Sequence, residues 1–309
     1  MGKSIGIDLG TTNSVVAFKD ATVRVIATGP NNEDLCRSCV AIDKSGSINV
    51  GNVPYKNWGK YAPNIVVSAK RLMGASISDP QVQKMKADKD MYPYGISKMS
   101  GGTDESVVVI MNGKEYTPEQ ISAEILRQLK NDASVKLGGD VTHAVITVPA
   151  YFNEKQKSAT RKAAELAGLK VQRLLAEPTA AAISYGADKM AADEDKIFLV
   201  YDFGGGTFDL SILVASGGNF IESGTGGDRW LGGDDIDRLI SEYVLSEAGK
   251  ANNVDIHKLI EELPERKKYA FQGELKDNVE SVKKALSQSE SATISIFDQL
   301  EAEDGSPND

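Results

Sequence analysis

The sequence predicts an α/β protein of two lobes that share one ligand. The chain has 309 residues, 41% apolar and 26% charged, which is enough for two lobes with their own cores. Strand-like and helix-like segments both occur in each half of the chain. A pattern of strand, aspartate, apolar residue, glycine, small residues and strand occurs twice, around Asp8 and Asp202. Because about one lobe separates the two copies, they predict duplicated halves that clamp one ligand.

The first lobe is predicted to span residues 1–189. Thr117, Pro118 and Gln120 form a capping box that starts a helix. Residues 29–105 are rich in Gly, Pro and Ser, and we expect them to be irregular apart from one helix-like stretch near 65–73. The other elements expected here are strands at 5–7, 15–18, 23–26, 107–111, 144–148 and 171–175, and helices at 154–167 and 180–185.

The second lobe is predicted to span residues 190–309, after a polar, acidic junction at 187–195. We expect an inner part at 190–230, an outer helical part at 231–300 and a disordered acidic tail at 301–309. The elements expected in it are strands at 197–201, 208–214, 220–223 and 292–297, helices at 234–249 and 265–287, and a turn at Gly217-Gly218.

Composition disfavours several classes of protein. The net charge of −9 argues against nucleic acid as a partner. The sequence shows neither a membrane-length apolar run nor the pattern of a signal peptide, so a cytoplasmic location is expected. Cys36 and Cys39 form one isolated C-x-x-C, and the histidines His143 and His257 are distant in sequence. Structural zinc needs four ligands, and the βαβ context of a thioredoxin-like redox pair is lacking, so two reduced loop thiols are the favoured interpretation.

The two repeated turns have the chemistry of a phosphate site. Turns of Gly and Thr expose backbone N–H groups that bind phosphate oxygens, and Gly204–Gly206 allow close approach. Asp8 and Asp202 can hold hydrated magnesium, which prefers water, carboxylates and phosphate oxygens. One such turn alone is as well explained as an ordinary hairpin, but the pair together favours a phosphate site. The hydroxyl donors predicted to join them are Thr11, Thr12 and Thr207.

A third glycine-rich stretch precedes a predicted helix. It runs through Gly224–Gly227 and then Leu231–Asp235. Its backbone amides and the helix N-terminus are predicted to meet the outer phosphates. The alternative is a flexible loop with an aspartate cap.

Five segments carry a more specific signal, namely IGIDLGTTNS, VPAYFNEKQK, AEPTAAAISYG, VYDFGGGTFDLSIL and LGGDDID. In this order and spacing, across residues 4–237, they resemble the ATPase domain of the seventy-kilodalton heat-shock chaperones, and weaker similarity reaches about residue 297. The resemblance implies an actin-like ATPase fold, with ribonuclease H-like duplicated lobes around a nucleotide cleft. It also implies hydrolysis of ATP at the γ-phosphate.

The resemblance assigns roles residue by residue. Lys70 matches a lysine that reaches the γ-phosphate and the attacking water, and Glu177 an acid near magnesium between the lobes. Asp8 and Asp202 match the acids that hold magnesium and position water. On pattern alone, Lys70 would be a solvated base and Glu177 a helix-start acid. The phosphate loops are Gly10, Thr11, Thr12 and Asn13, then Gly204, Gly205, Gly206 and Thr207, then Gly232 and Gly233, and the adenosine-contacting helix carries Glu280, Lys283 and Ser287.

The implied ligands are ATP or ADP with Mg²⁺, and K⁺ is a further candidate ion. Co-chaperones or a nucleotide-exchange factor are the implied protein partners. The chain departs from the family where it ends, without the second adenosine motif or a peptide-binding domain. We therefore expect an incomplete second lobe with an unpaired strand edge, weak nucleotide binding with little preference for adenine, and self-association through this lobe.

Three alternatives stay open from the sequence. One is a nucleotide-dependent binding module that does not hydrolyse its ligand. Another is one piece of a split protein that needs a partner. The third is a filament-forming or sugar-kinase relative on the same fold, since fold alone does not define function. The segments AEPTAAAISYG and ESVKKALS favour the chaperone branch over the third alternative.

Overall fold

The computed structural model describes residues 2–186, 195–216 and 219–296. The predicted junction, the turn at 217–218 and the acidic tail lie largely or wholly outside this part. The strands are β1 (Lys3–Leu9), β2 (Asn13–Lys19), β3 (Val23–Val25), β4 (Cys36–Arg37), β5 (Cys39–Ile42), β6 (Ile48–Val50), β7 (Ile65–Val67), β8 (Gly95–Lys98), β9 (Val107–Met111), β10 (Lys114–Tyr116), β11 (Val141–Val148), β12 (Lys170–Ala176), β13 (Lys196–Phe203), β14 (Phe208–Ser216) and β15 (Asn219–Asp228).

The helices cover the sheets and build the outer part of the second half. They are α1 (Asn52–Lys56), α2 (Trp58–Tyr61), α3 (Pro80–Ala87), α4 (Pro118–Leu137), α5 (Glu154–Leu166), α6 (Glu177–Ser184), α7 (Gly233–Asn252), α8 (Ile256–Glu262) and α9 (Glu265–Ala285), with a short 3₁₀ helix at Ala69–Leu72. None in the described part of the chain is both long and apolar enough to cross a bilayer.

The first half is organised around a sheet of order β12-β11-β1-β2-β3. β1 pairs antiparallel with β2 and parallel with β11, so a hairpin and a crossover meet on one central strand. Alternate residues of β1 face the core, where Ile5, Ile7 and Leu9 are each 2% exposed. The α4 helix starts at the predicted capping box, because Thr117 accepts from the Gln120 amide and the Gln120 side chain accepts from the Thr117 amide.

The prediction of an irregular segment at 29–105 is wrong. It contains β4–β8, α1–α3 and the 3₁₀ helix, many of them short elements that pair with distant parts of the chain. The helix-like stretch predicted near 65–73 is helical only in its second part, where the 3₁₀ helix spans Ala69–Leu72. Ile65, Val66 and Val67 are β-branched, fully buried and paired with β5, and Ser68 then adopts a left-handed conformation at φ 56°.

Two predictions in the second half are wrong as well. Gly224–Gly227 form part of β15 and not a loop, because their backbone pairs with β14. Residues 291–296 contain no strand; Ile294 and Ile296 instead pack against the core of α7, α8 and α9. The α8 helix had not been predicted.

The sheet of the second half of the chain is antiparallel, and its strand order is β13-β14-β15. One face packs on α6 through Ala182 and Leu213. The other face is apolar and open, and β13 pairs on one side only within the described residues. The prediction of self-association through this lobe stays a prediction. The large apolar side chains exposed on the open face are Ile197, Leu199, Tyr201, Phe203, Ile212 and Ile221.

Cys36 and Cys39 are free, buried thiols, but they lie in strands β4 and β5 and not in a loop as predicted. Burial raises the pKa of Cys36 to about 12 and raises that of Cys39 further above its usual value. Both side chains are therefore protonated core residues of the first half.

Candidate functional site

The two repeated hairpin turns meet at one point. The turn between β1 and β2 carries Thr11 and Thr12, and the turn between β13 and β14 carries Gly205 and Gly206. A Cβ atom added at Gly205 would lie 2.4 Å from Thr12 Oγ1, and one added at Gly206 would lie 2.7 Å from Thr11 Cγ2. Only glycine fits at this approach, so the fold brings both turns to a common site.

The predicted third loop closes over the second turn. The N–H groups of Gly233 and Asp234 donate to the carbonyl oxygens of Gly204 and Gly205, at 2.9 and 2.7 Å. A Cβ at Gly232 would lie 2.4 Å from the Gly205 oxygen. The Thr12 hydroxyl donates to the Asp234 carboxylate at 2.9 Å. The amides of Gly233 and Asp234 are therefore engaged by the protein itself.

Lys70 and Glu177 form a buried ion pair beside the turns. Their side chains are 9% and 17% exposed, and Lys70 Nζ lies 2.8 Å from Glu177 Oε1. The 3₁₀ helix after Ser68 carries the lysine, and Glu177 begins α6, where the helix dipole favours an acid. Burial raises the pKa of Glu177, Asp8 raises it further, and Lys70 opposes the rise.

Asp8 and Asp202 add more negative charge to the same cluster. Asp8 accepts a hydrogen bond from the Thr147 hydroxyl at 2.6 Å. Burial and then the charge of Asp8 raise the pKa of Asp202, against the effect of Lys70. This excess of carboxylates over cations suits a divalent ion. In the described residues, no three His, Cys, Asp or Glu side chains are close enough to hold a metal directly, so magnesium would be held through water.

Two residues at the site were not predicted. Asp209 lies opposite Asp202 in the β13–β14 register, and its buried Oδ2 has no hydrogen-bond partner in the described structure. Hairpin pairing across the second turn could have revealed it. Arg71 donates to the Gly206 carbonyl and to the Tyr92 hydroxyl, and its guanidinium lies 4.8 Å from the centre of the Trp230 ring. No sequence pattern distinguished it from a solvated base.

The predicted adenosine helix lies beside the site with its charges already paired. Glu280 pairs with Arg37 of β4 and with Lys284. Lys283 pairs with Asp237 at 2.7 Å and donates to the Gly233 carbonyl at 3.0 Å. Ser287 is exposed and lies just beyond the end of α9 at Ala285, and its predicted contact with adenosine stays a prediction.

Asp202→Asn is expected to increase the free energy of unfolding near neutral pH only slightly, by less than about 1 kcal/mol. The amide removes the partial desolvation of the carboxylate and its repulsion by Asp8, but both side chains are exposed and solvent screens these effects. The folded-state pKa of Asp202 is raised, so its contribution to stability is greatest below the unfolded pKa and is lost as pH rises through the folded value. The gain should therefore disappear near pH 4. Urea unfolding at both pH values measures it, and a variant less stable than the parent at neutral pH would contradict the charge crowding.

Two α/β halves whose hairpin turns meet beside a charged cluster define an actin-like ATPase fold. In a comparison with models of known families, residues 4–306 match the Hsp70 protein family. The chain therefore belongs to the Hsp70 family, and at family level it is a chaperone-type ATPase module that binds nucleotide.

Proposed function

We propose that this chain binds ATP with Mg²⁺ and hydrolyses the γ-phosphate. The observation that carries the proposal is the convergence of both glycine turns on the Lys70–Glu177 pair. Backbone N–H groups of the turns would bind phosphate oxygens, and the hydroxyls of Thr11, Thr12 and Thr207 would add donors. Magnesium, when bound with the nucleotide, neutralises charge on the phosphate oxygens, and Asp8 and Asp202 would hold its water ligands.

The Lys70–Glu177 pair supports the chemical step. The Lys70 ammonium is nearly buried, so its attraction for charge developing on the transferred phosphoryl group is little screened. The Glu177 carboxylate has a raised pKa and can accept a hydrogen bond from the attacking water. Asp209, across the hairpin from Asp202, offers a further carboxylate on the same side.

Nucleotide must bind a more open form than the one described. The turns are in contact, and the N–H groups of Gly233 and Asp234 already have carbonyl partners. The apparent affinity is then the intrinsic affinity reduced by the open fraction. This closed arrangement is also the observation that favours the second candidate function, a module that binds nucleotide without turnover. K⁺, co-chaperones and a nucleotide-exchange factor are part of the proposal only because the family suggests them. A cytoplasmic location is proposed from the sequence pattern alone.

Calorimetry and phosphate release separate the two candidates. We expect heat of binding for ATP and ADP only when Mg²⁺ is present, followed by release of phosphate from ATP. Binding without release of phosphate would support the binding module. Absence of binding for both nucleotides would contradict both candidate functions.

A further inference from the structure

Lys276 of α9 is a partly buried cation that has no anionic partner among the described residues. In the part of the chain that the structure describes, its ammonium has neither a carboxylate within 4.0 Å nor a hydrogen bond. Nζ lies 4.4 Å from the centre of the Trp58 ring and 5.7 Å from that of Tyr55. Burial lowers the pKa of this lysine. Two aromatic faces compensate only part of the lost hydration of an ammonium group.

Lys276 faces a small void at the first hairpin turn. The void has a volume of about 20 Å³, room for about one water molecule. The void is also lined by Asp234, by apolar side chains and by the hydroxyl residues Thr11, Thr12 and Ser38. The Thr12 hydroxyl donates to the Asp234 carboxylate and the Ser38 hydroxyl donates to the Gly10 carbonyl, whereas Lys276 forms no ion pair with Asp234. The Lys276 ammonium is therefore the group in this wall that can bind an anion at the first turn.

The void adjoins a larger cavity of about 380 Å³ between the Asp88–Met91 segment and α7, α8 and α9. Met91, Asp234 and Lys276 line both spaces. Lys268 is also on α9 and lines only the larger cavity. An anion at the first turn would therefore meet Lys276 and not Lys268.

We propose that Lys276 is an additional phosphate-binding residue, which extends from α9 to the first hairpin turn and binds a phosphate oxygen when the turns separate. The proposal rests on the proposed function, because it assumes that the first turn binds phosphate. It differs from the role proposed for Lys70. Lys276 lies on the side of the turn where α9 packs, so its contact would stabilise bound phosphate in the ground state.

The test compares two substitutions on the same helix. Lys276→Gln removes the charge and keeps most of the side-chain volume, and Lys268→Gln is the matched control. Calorimetry with tripolyphosphate, ATP and adenosine is done in the presence of Mg²⁺. For Lys276→Gln we expect about tenfold weaker binding of tripolyphosphate and ATP, with unchanged binding of adenosine. Lys268→Gln should match the parent for all three ligands.

A second readout does not depend on the variants. Limited acetylation followed by mass spectrometry should show that tripolyphosphate protects Lys276, while Lys268 reacts at an unchanged rate. If the parent binds tripolyphosphate but Lys276→Gln binds it equally well and Lys276 gains no protection, the inference is overturned and the proposed function stands. If the parent binds neither tripolyphosphate nor ATP, both are overturned. Equal weakening by the two substitutions would show a general charge effect and would also overturn the inference.

Discussion

Lys70→Ala is expected to lower the single-turnover rate of ATP hydrolysis by about 10²-fold or more, which is typical for the loss of a group that stabilises charge in the transition state. Lys70 is 9% exposed and its partner Glu177 has a raised pKa, so water cannot readily replace the ammonium. Nucleotide affinity should change much less. Rapid-quench measurement of phosphate release gives the rate, and calorimetry gives the affinity.

Lys155→Ala is the matched control for this substitution. It also removes a lysine from the first half, but Lys155 forms a solvent-exposed pair with Glu105 and not a pair with Glu177. Its hydrolysis rate should equal that of the parent. A rate for Lys70→Ala within threefold of the parent would show that Lys70 has no part in the chemical step.

Gly205→Val is expected to weaken ATP binding by about tenfold or more. The added Cβ would lie 2.4 Å from Thr12 Oγ1, so the side chain occupies the point where the two turns meet. It would force the turns apart and then obstruct the approach of phosphate to the backbone. Because the turn lies outside the cores, far-ultraviolet circular dichroism should be unchanged.

Gly224→Val controls for adding the same side chain to the second half. Gly224 lies in β15, where valine is favourable, and an added Cβ meets only Ile212 Cδ1 at 3.9 Å. Calorimetry should give this variant the ATP affinity of the parent. Equal affinities for Gly205→Val and Gly224→Val would argue against a phosphate site at the second turn.

Local signals predicted much of the fold. The capping box at Thr117 and the buried strand at 144–148 are encoded by neighbouring residues, and both are present. The strands in 29–105 depend on pairing with distant segments, which no local window reveals. Gly224 and its neighbours also depend on pairing with another segment. Their backbone pairs with β14, and this pairing overrides the low strand propensity of glycine.

The sequence likewise predicted one part of the candidate site and not another. The repeat around Asp8 and Asp202 predicted that two turns would share a ligand, and the fold brings these turns into contact. Arg71 and Lys276 owe their positions to packing between the two halves, so their sequence context resembles that of any surface base. The closed state of the turns was equally hidden, since hydrogen bonds from Gly233 and Asp234 to the second turn arise only in the folded chain.

Phosphate release from ATP by the purified chain in a single turnover, with and without Mg²⁺, tests the central claim most directly. The proposed site predicts release that requires Mg²⁺ and stops when the metal is chelated, because the proposal assigns the water ligands of the metal to the carboxylates of Asp8 and Asp202. Release at the same rate without metal, or the absence of release from bound ATP, would contradict hydrolysis at the junction of the two turns.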